Sequence, residues 1–398
     1  MSFFSAVEMA PRDPILGLNE QFAADPNPAK VNLGVGVYYD DQGKLPLLAC
    51  VQAAEQAMMA TPTARGYLPI DGIAAYDAGV KALVFGADSE PVQSGRVATV
   101  QAIGGTGGLK IGADFLKKLN PNAEVLISDP SWENHRALFS SAGFVVKNYR
   151  YYDAAKRGVD FDGMLADLSG AATGSVVVLH ACCHNPTGYD ITPAQWDQVV
   201  SVCQSRGLVP FLDMAYQGFG YGLTEDGAAV QKFVAAGMSF FVSTSFSKSF
   251  SLYGERVGAL SVLCESKDEA ARVLSQPKIV IRTNYSSPPS HGGAVVAAVL
   301  SKPEWRALWE SELGGMRVRI KAMRQKLVDG LKAAGVQQDM SFITSQIGMF
   351  SYSGLSRDQM VRLRTEFGVY GTDTGRMCVA ALNSKNIDYV CAAIAKVV

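Results

Sequence analysis

The sequence lacks an excess of charge of either sign. Its 36 lysines and arginines are matched by 37 aspartates and glutamates, a formal net charge of -1, so nothing in its electrostatics calls for nucleic acid or an anionic membrane as partner. It also lacks any apolar run near the roughly 20 residues needed to cross a bilayer. The stretch from Met1 to Pro11 has no basic start, no long apolar core and no small-residue cleavage site, so no leader is expected and the cytoplasm is the expected compartment. Cysteine is sparse: seven residues, an odd number in a long chain, which read as reduced thiols rather than a disulfide framework. Internal repeats and low-complexity tracts are absent. What remains is an ordinary globular composition, 48% hydrophobic and 18% charged over 398 residues, enough for about two or three domains with a proper core.

Short apolar runs alternate with amphipathic stretches through the middle of the chain. Val97–Ile103, Glu124–Ser128, Phe144–Asn148, Ser175–His180, Leu208–Leu212, Phe240–Ser245 and Val257–Val262 read as buried strands. Helical patterns cover about Leu109–Leu119 and Thr192–Gln204. Strands alternating with helices predict an α/β domain with a mainly parallel sheet, whose ligands sit beyond the carboxyl ends of the strands. The last third differs. A long helix is expected over Pro303–Ala334, interrupted near Gly314–Gly315, then a strand at Gly348–Tyr352, a helix at Ser356–Glu366, a strand at Met377–Ala380 and a final helix from about Ser384. Met1 to Pro14 reads as an extended arm.

The polar motifs follow strand ends. Ser243–Leu252 is S-T-S-F-S-K-S-F-S-L, a lysine ringed by hydroxyls just past a strand, with Arg256 eight residues on. A lysine in a partly dry site can lose its proton and attack a carbonyl; hydroxyls, backbone N–H groups and an arginine suit a phosphate. The S-x-x-K of penicillin-binding acyl-transferases needs companion S-D-N and K-T-G motifs, and neither occurs. A cofactor-free Schiff-base aldolase is the other rival. Ile103–Lys110, I-G-G-T-G-G-L-K, suits either a phosphate at a helix N-terminus or a tight turn; Lys110 stands where the dinucleotide fingerprint needs a glycine. Leu179–Gly188, L-H-A-C-C-H-N-P-T-G, invites a zinc reading, but no second ligand cluster exists and adjacent cysteines rarely share one ion. Its N-P-T-G turn could hold Asn185 rigidly. Asp213, in L-D-M-A-Y, would be costly at a buried strand end unless paired, with Tyr216 close behind; an ordinary cap is the plainer reading. Trp132, in D-P-S-W-E-N-H, is a ring for stacking or a core tryptophan. Arg376 and Arg282 are surface residues or carboxylate clamps.

In this order, N-P-T-G, D-x-A-Y, S-F-S-K and a late G-R resemble the class I aminotransferases, and the likeness runs from N-L-G-V-G-V-Y near Asn32 to G-R-M-C-V-A near Arg376. W-E-N-H, Y-Q-G-F-G, S-L-Y-G-E-R-V-G and N-Y-S-S-P-P look most like the bacterial aromatic-amino-acid (tyrosine) branch of the aspartate aminotransferase subgroup. Aspartate-selective relatives usually read S-N-P-P where this chain has Ser287 and carry lysine where it has Tyr39.

The resemblance implies a fold type I transferase using pyridoxal 5'-phosphate. Its α/β fold has a large domain, residues 46–314, with a mainly parallel seven-stranded sheet flanked by helices. A smaller α/β domain is built from both chain ends, residues 15–45 and 315–398, after an arm over 1–14. It implies that Lys248 holds the cofactor as a Schiff base and moves a proton, that Asp213 pairs with the ring nitrogen, and that Tyr216 and Asn185 bond the ring oxygen while Trp132 stacks. Gly105, Thr106, Ser245, Ser247 and Arg256 would hold the phosphate, with Tyr67 from a second copy. Arg376 would bind the substrate α-carboxylate near Asn185 and the Gly36 backbone. Arg282 of a second copy would bind a distal carboxylate, so a homodimer with shared sites is implied. His135 and His180 would support Asp213 and the loop of Trp132. The implied reaction moves an amino group from tyrosine, phenylalanine or aspartate to 2-oxoglutarate by ping-pong kinetics. The alternative is an aspartate aminotransferase with minor aromatic activity. Val35, Tyr39 and the Ser287 turn would line the apolar part of a pocket that takes both kinds of side chain. A ligand-sensing relative in a transcription regulator would need an N-terminal DNA-binding segment, and no basic helix-turn-helix is present.

Overall fold

The computed structural model describes residues 2–398. Seven strands form one sheet: β1 (Val97–Ile103), β2 (Glu124–Asp129), β3 (Val145–Arg150), β4 (Val176–His180), β5 (Val209–Met214), β6 (Phe240–Ser245) and β7 (Val257–Leu263). Their spatial order is β1-β7-β6-β5-β4-β2-β3. Only β7 runs antiparallel to its neighbours. Every residue of β4, β6 and β7 is buried, as expected for strands covered by helices on both faces. The α/β class and the mainly parallel sheet expected from the alternating pattern are what the chain adopts, with each strand within a residue or two of its expected span.

This topology gathers the polar motifs. Parallel strands end at one edge of the sheet, where His180 of β4 lies opposite Asp213 of β5, itself opposite Ser243 of β6. Because β7 runs the other way, its start lies at that same edge, with Val257 opposite Ile103 and Gly258 opposite Ser245. Arg256, immediately before β7, is thereby brought to the strand ends although it precedes a strand.

Two helix expectations need correction. Helix α1 spans Gly104–Leu119 and so begins five residues before the expected Leu109. Glycine's poor helix propensity hid this start, but packing requires it: a Cβ at Gly108 would lie 2.6 Å from Ser243 Oγ and 2.7 Å from the Ala259 carbonyl oxygen, so only glycine lets α1 lie directly on β6 and β7. The helix expected to break near Gly314–Gly315 is continuous over Pro303–Ala333. Two interior glycines cost about 1 kcal/mol each. The buried stripe of Trp309, Leu313, Met316, Ile320, Met323 and Leu327 offsets that several times over.

The two chain ends meet. Val31–Asn32 pairs in parallel with Val369–Tyr370, and Phe350–Tyr352 pairs antiparallel with Arg376–Cys378. The Tyr370 hydroxyl donates to Asp25 at 2.8 Å. Of the expected arm, Met1 lies outside the described residues; residues 2–14 carry no helix or strand and leave Phe3, Phe4, Val7 and Met9 exposed.

Candidate active site

The site begins with a bare helix end. Ile103, at the N-cap of α1, makes no side-chain cap; the Gly104 N–H donates to the Arg256 carbonyl at 3.0 Å, and the N–H groups that follow it have no side-chain acceptor. Gly104 sits in the left-handed region (φ +67), and a Cβ there would come within 2.5 Å of Arg256 Nη2. The guanidinium therefore lies against the glycine turn. Arg256 Nη1 donates to Ser247 Oγ at 3.3 Å and to the Tyr253 carbonyl at 2.9 Å. The Ser247 N–H donates to Ser245 Oγ at 3.3 Å, and both serines are buried. Thr106 is half-buried in the first turn of α1, and Gly105 packs against Ser245. Uncapped N–H groups, two serine hydroxyls and a fixed cation make a receptor for a phosphate-sized anion.

Lys248 follows β6 on this side. Its Nζ lies 5.1 Å from the centre of the Tyr216 ring. Burial lowers its pKa to about 8, with Arg256 and Arg376 pushing the same way against the opposing Asp213 carboxylate. A lysine held there is neutral often enough near physiological pH to act as a nucleophile or base. Asp213 is buried and accepts from His135 Nε2 at 2.8 Å, while His135 Nδ1 meets Ser131 Oγ at 2.8 Å. Burial alone would raise the Asp213 carboxyl, but the His135 hydrogen bond and charge, with Lys248 nearby, outweigh it and hold it below its ordinary range. The result is a lasting negative charge at the end of β5, suited to a protonated ring nitrogen. Burial keeps the Tyr216 phenol protonated.

Arg376 is 1% exposed. Nη1 donates to Asn185 Oδ1 at 3.1 Å, Nη2 donates to the Gly34 carbonyl at 2.7 Å, and the guanidinium lies 4.4 Å from the Phe350 ring centre. Its Nε–H has no partner. A buried cation with an unanswered donor is costly, and a carboxylate is the ligand that would satisfy it.

The single chain therefore brings together Gly105, Thr106, Asn185, Asp213, Tyr216, Ser245, Ser247, Lys248, Arg256 and Arg376. Trp132 is half-buried beside His135, ring centres 5.3 Å apart. Gly36 packs under Phe350, where a Cβ would lie 2.6 Å from Cζ. Val35 and Tyr39 are half-buried in the segment that runs beside Arg376–Cys378. Two residues stay outside: Tyr67 is 98% exposed, and Arg282, on an exposed face of helix α2 (Lys267–Asn284), donates to Ser286 Oγ. Ser287, past the end of α2, is half-buried.

Sequence reasoning missed Phe350 and Gly34, which cradle Arg376. Phe350 looks like any core residue of its strand, and a carbonyl acceptor leaves no signal in a sequence. It also left His184 without a role. Its Nε2 meets Ser128 Oγ and its Nδ1 meets Thr187 Oγ1, both at 2.9 Å, and its ring stacks on Tyr151. Those bonds occupy both nitrogens and argue against the zinc reading of the H-A-C-C-H run. His180 contacts the rings of His135 and His184, and burial drives its pKa to about 3, so it is neutral.

An anion receptor, a half-buried lysine, a buried carboxylate and a carboxylate clamp at one sheet edge are the parts of an amino-group transferase. The family model described as aminotransferase class I and II matches residues 28–394, and the chain belongs to that family. It is 64% identical over 397 residues to an aspartate aminotransferase of Pseudomonas aeruginosa, covering all of both chains. It is 50% identical over 395 residues to the aromatic-amino-acid aminotransferase of Escherichia coli, covering 99% of this chain and all of that one. Among solved structures it matches an aromatic-amino-acid aminotransferase from Burkholderia pseudomallei, covalently bound to pyridoxal phosphate, with TM-score 0.97 and 66% identity over the whole of both chains.

Proposed function

We propose that this aminotransferase carries pyridoxal 5'-phosphate on Lys248 and moves amino groups from phenylalanine, tyrosine and aspartate to 2-oxoglutarate, as a cytoplasmic homodimer. The observation that carries the reading is the buried Arg376 with its unpartnered Nε–H, beside a lysine whose pKa is lowered to about 8. Together they form a carboxylate clamp and a base at one place.

Bound at this edge, the cofactor supplies a carbonyl for the amine and a ring that takes up the electrons of the α-carbon. The chain's residues do the rest. The α1 N-terminus, Gly105, Thr106, Ser245, Ser247 and Arg256 hold the phosphate, joined by Tyr67 of a second copy. Asp213, kept ionised by His135, faces the ring nitrogen. Tyr216 and Asn185 donate to the ring oxygen, and Trp132 covers one face. Arg376 holds the substrate α-carboxylate next to Asn185 and the Gly36 backbone. Lys248 Nζ takes the proton from the α-carbon and returns it elsewhere. Arg282 of a second copy binds the distal carboxylate of aspartate or 2-oxoglutarate and swings aside for a ring, which Val35, Tyr39 and the Ser287 turn receive. With the division expected from the resemblance, a sheet domain (46–314) and a smaller domain from both ends (15–45 and 315–398), Arg376 would lie on the part that closes over the substrate.

Relatives carrying the aspartate and the aromatic names have similar identity to this chain, so specificity rests on Tyr39 and Ser287. The test mixes cofactor-loaded protein separately with excess L-phenylalanine and L-aspartate and follows the absorption band of the lysine-bound cofactor. Loss of the band with both, at similar rates, supports the dual reading. Rapid loss with aspartate and almost none with phenylalanine makes it an aspartate aminotransferase. No band after adding cofactor overturns the role of Lys248.

A further inference from the structure

Asn185 and Tyr216 stand on two neighbouring loops, and each loop is tied by a carboxylate that the proposed reaction does not use. Asp190 Oδ2 accepts the Cys183 N–H at 2.6 Å and Oδ1 accepts the His184 N–H at 2.8 Å. Asp226 accepts the N–H groups of Gly218, Gly220 and Tyr221 at 2.8, 2.9 and 2.9 Å. Both carboxylates border a cavity of about 640 Å³, and Lys248, Asp213, Tyr216 and Arg376 are not among its lining residues.

We propose that Asp190 is a positioning residue for the transfer reaction: its ionised carboxylate fixes the Cys183–His184 backbone and so sets Asn185 against Arg376. The proposal rests on the function proposed above. Asn185 follows His184 directly and accepts from Arg376 Nη1 at 3.1 Å, so a small movement of the turn reaches the clamp. Cys183 holds φ +52, a conformation that a non-glycine residue keeps only when its surroundings impose it. The bond from its N–H to Asp190 is one such constraint. Two N–H donors need two acceptors, and a protonated carboxyl would turn an O–H toward one of them.

The geometry makes the device sensitive to pH. Burial raises Asp190 to about 6; the His184 and Cys183 N–H bonds oppose this and the Asp226 charge adds to it. Around it, burial keeps His184 neutral and the Tyr151 proton in place; the interaction with Cys182, and then burial, keep the Cys183 proton in place, and burial with the nearby carboxylates keeps that of Cys182 against the pull of Cys183. Tyr189, Tyr221 and Glu225 line the same cavity. The positioning charge is present above about pH 6 and lost as pH falls through it. Folding stability linked to this carboxyl runs the other way, because a raised carboxyl favours the folded state at low pH. Loss of activity on acidification through this group is therefore not unfolding.

The experiment uses the cofactor-loaded enzyme and measures kcat and KM for the amino acid from pH 5 to 8, for wild type, Asp190→Asn and Asp226→Asn. Wild-type KM should rise as pH falls below about 6. Asp190→Asn should show KM raised about 10-fold at pH 8, little further change with pH, and a higher pKa in the titration of the cofactor band. Asp226→Asn should move the wild-type limb to lower pH. A wild-type KM that stays flat over this range overturns the proposal without any variant, as does an Asp190→Asn enzyme with wild-type KM, kcat and band titration. A wild-type protein with no cofactor band or no transfer overturns the function instead.

Discussion

Lys248 and Arg282 stand at opposite ends of a scale of organisation. Lys248 is enclosed at the end of β6, its basicity already altered by burial and by named charges. Arg282 lies on an exposed helix face with a serine hydroxyl as its recorded partner. The floor of the site is built by one chain, because parallel strands deliver their ends to one edge whatever the oligomeric state. The rim, Arg282 and Tyr67, has no such support within the chain. The contrast teaches that the anion receptor, Lys248 and the Arg376 clamp are assembled by the fold itself, whereas Arg282 and Tyr67 would join them only in the proposed dimer.

Substitutions in the floor should therefore affect every substrate, and those in the rim only some. Lys248→Ala should lower transfer by about 10⁴-fold with all amino acids and abolish the lysine-bound band, read by steady-state rates and absorption. Asp213→Asn should cost about 10³-fold, because it removes the buried negative charge that would face the cofactor ring nitrogen in the proposed reading; a loss confined to one substrate would place Asp213 outside the common floor. Arg376→Lys should lower kcat/KM by about 10²-fold for aromatic and acidic amino acids alike, since an ammonium cannot make the bidentate contact. Arg282→Leu should reduce dicarboxylate turnover by about 30-fold while leaving phenylalanine within about 3-fold; equal losses would defeat the swinging model. Refolding equal amounts of the Lys248→Ala and Arg282→Leu chains together should restore about a quarter of wild-type aspartate activity, because half the dimers are mixed and each has one intact site. No recovery would mean that Lys248 and Arg282 serve a site within one chain.

Much of the floor was legible in the sequence. A lysine among serines after an apolar run, an aspartate closing another, and a glycine cluster between a strand and a helix are each local patterns, and their common edge follows from strand alternation. The start of α1 at Gly104 was not legible, because local propensity argues against a helix of glycines while the close approach of β6 and β7 requires them. The continuity of the Pro303–Ala333 helix was hidden for the same reason: burial of Trp309, Leu313 and Met316 outweighs two glycines, and a propensity reading does not weigh distant partners.

The sequence by itself determined the class of fold, the placing of Lys248 and Asp213 at the ends of apolar strands, and the order in which the motifs are strung, because those depend on residue type and local periodicity; the roles of that lysine, that aspartate and Arg376 came from the family resemblance. Tertiary structure alone decided that Arg256 meets Gly104, that Phe350 and the Gly34 carbonyl hold Arg376, and that His135 keeps Asp213 ionised. Each of these pairs residues from separate elements. The first pair meets through the one antiparallel strand, the second through the two chain ends and the third at the common edge of the parallel strands, and the altered basicity of Lys248 comes from the burial that only packing creates.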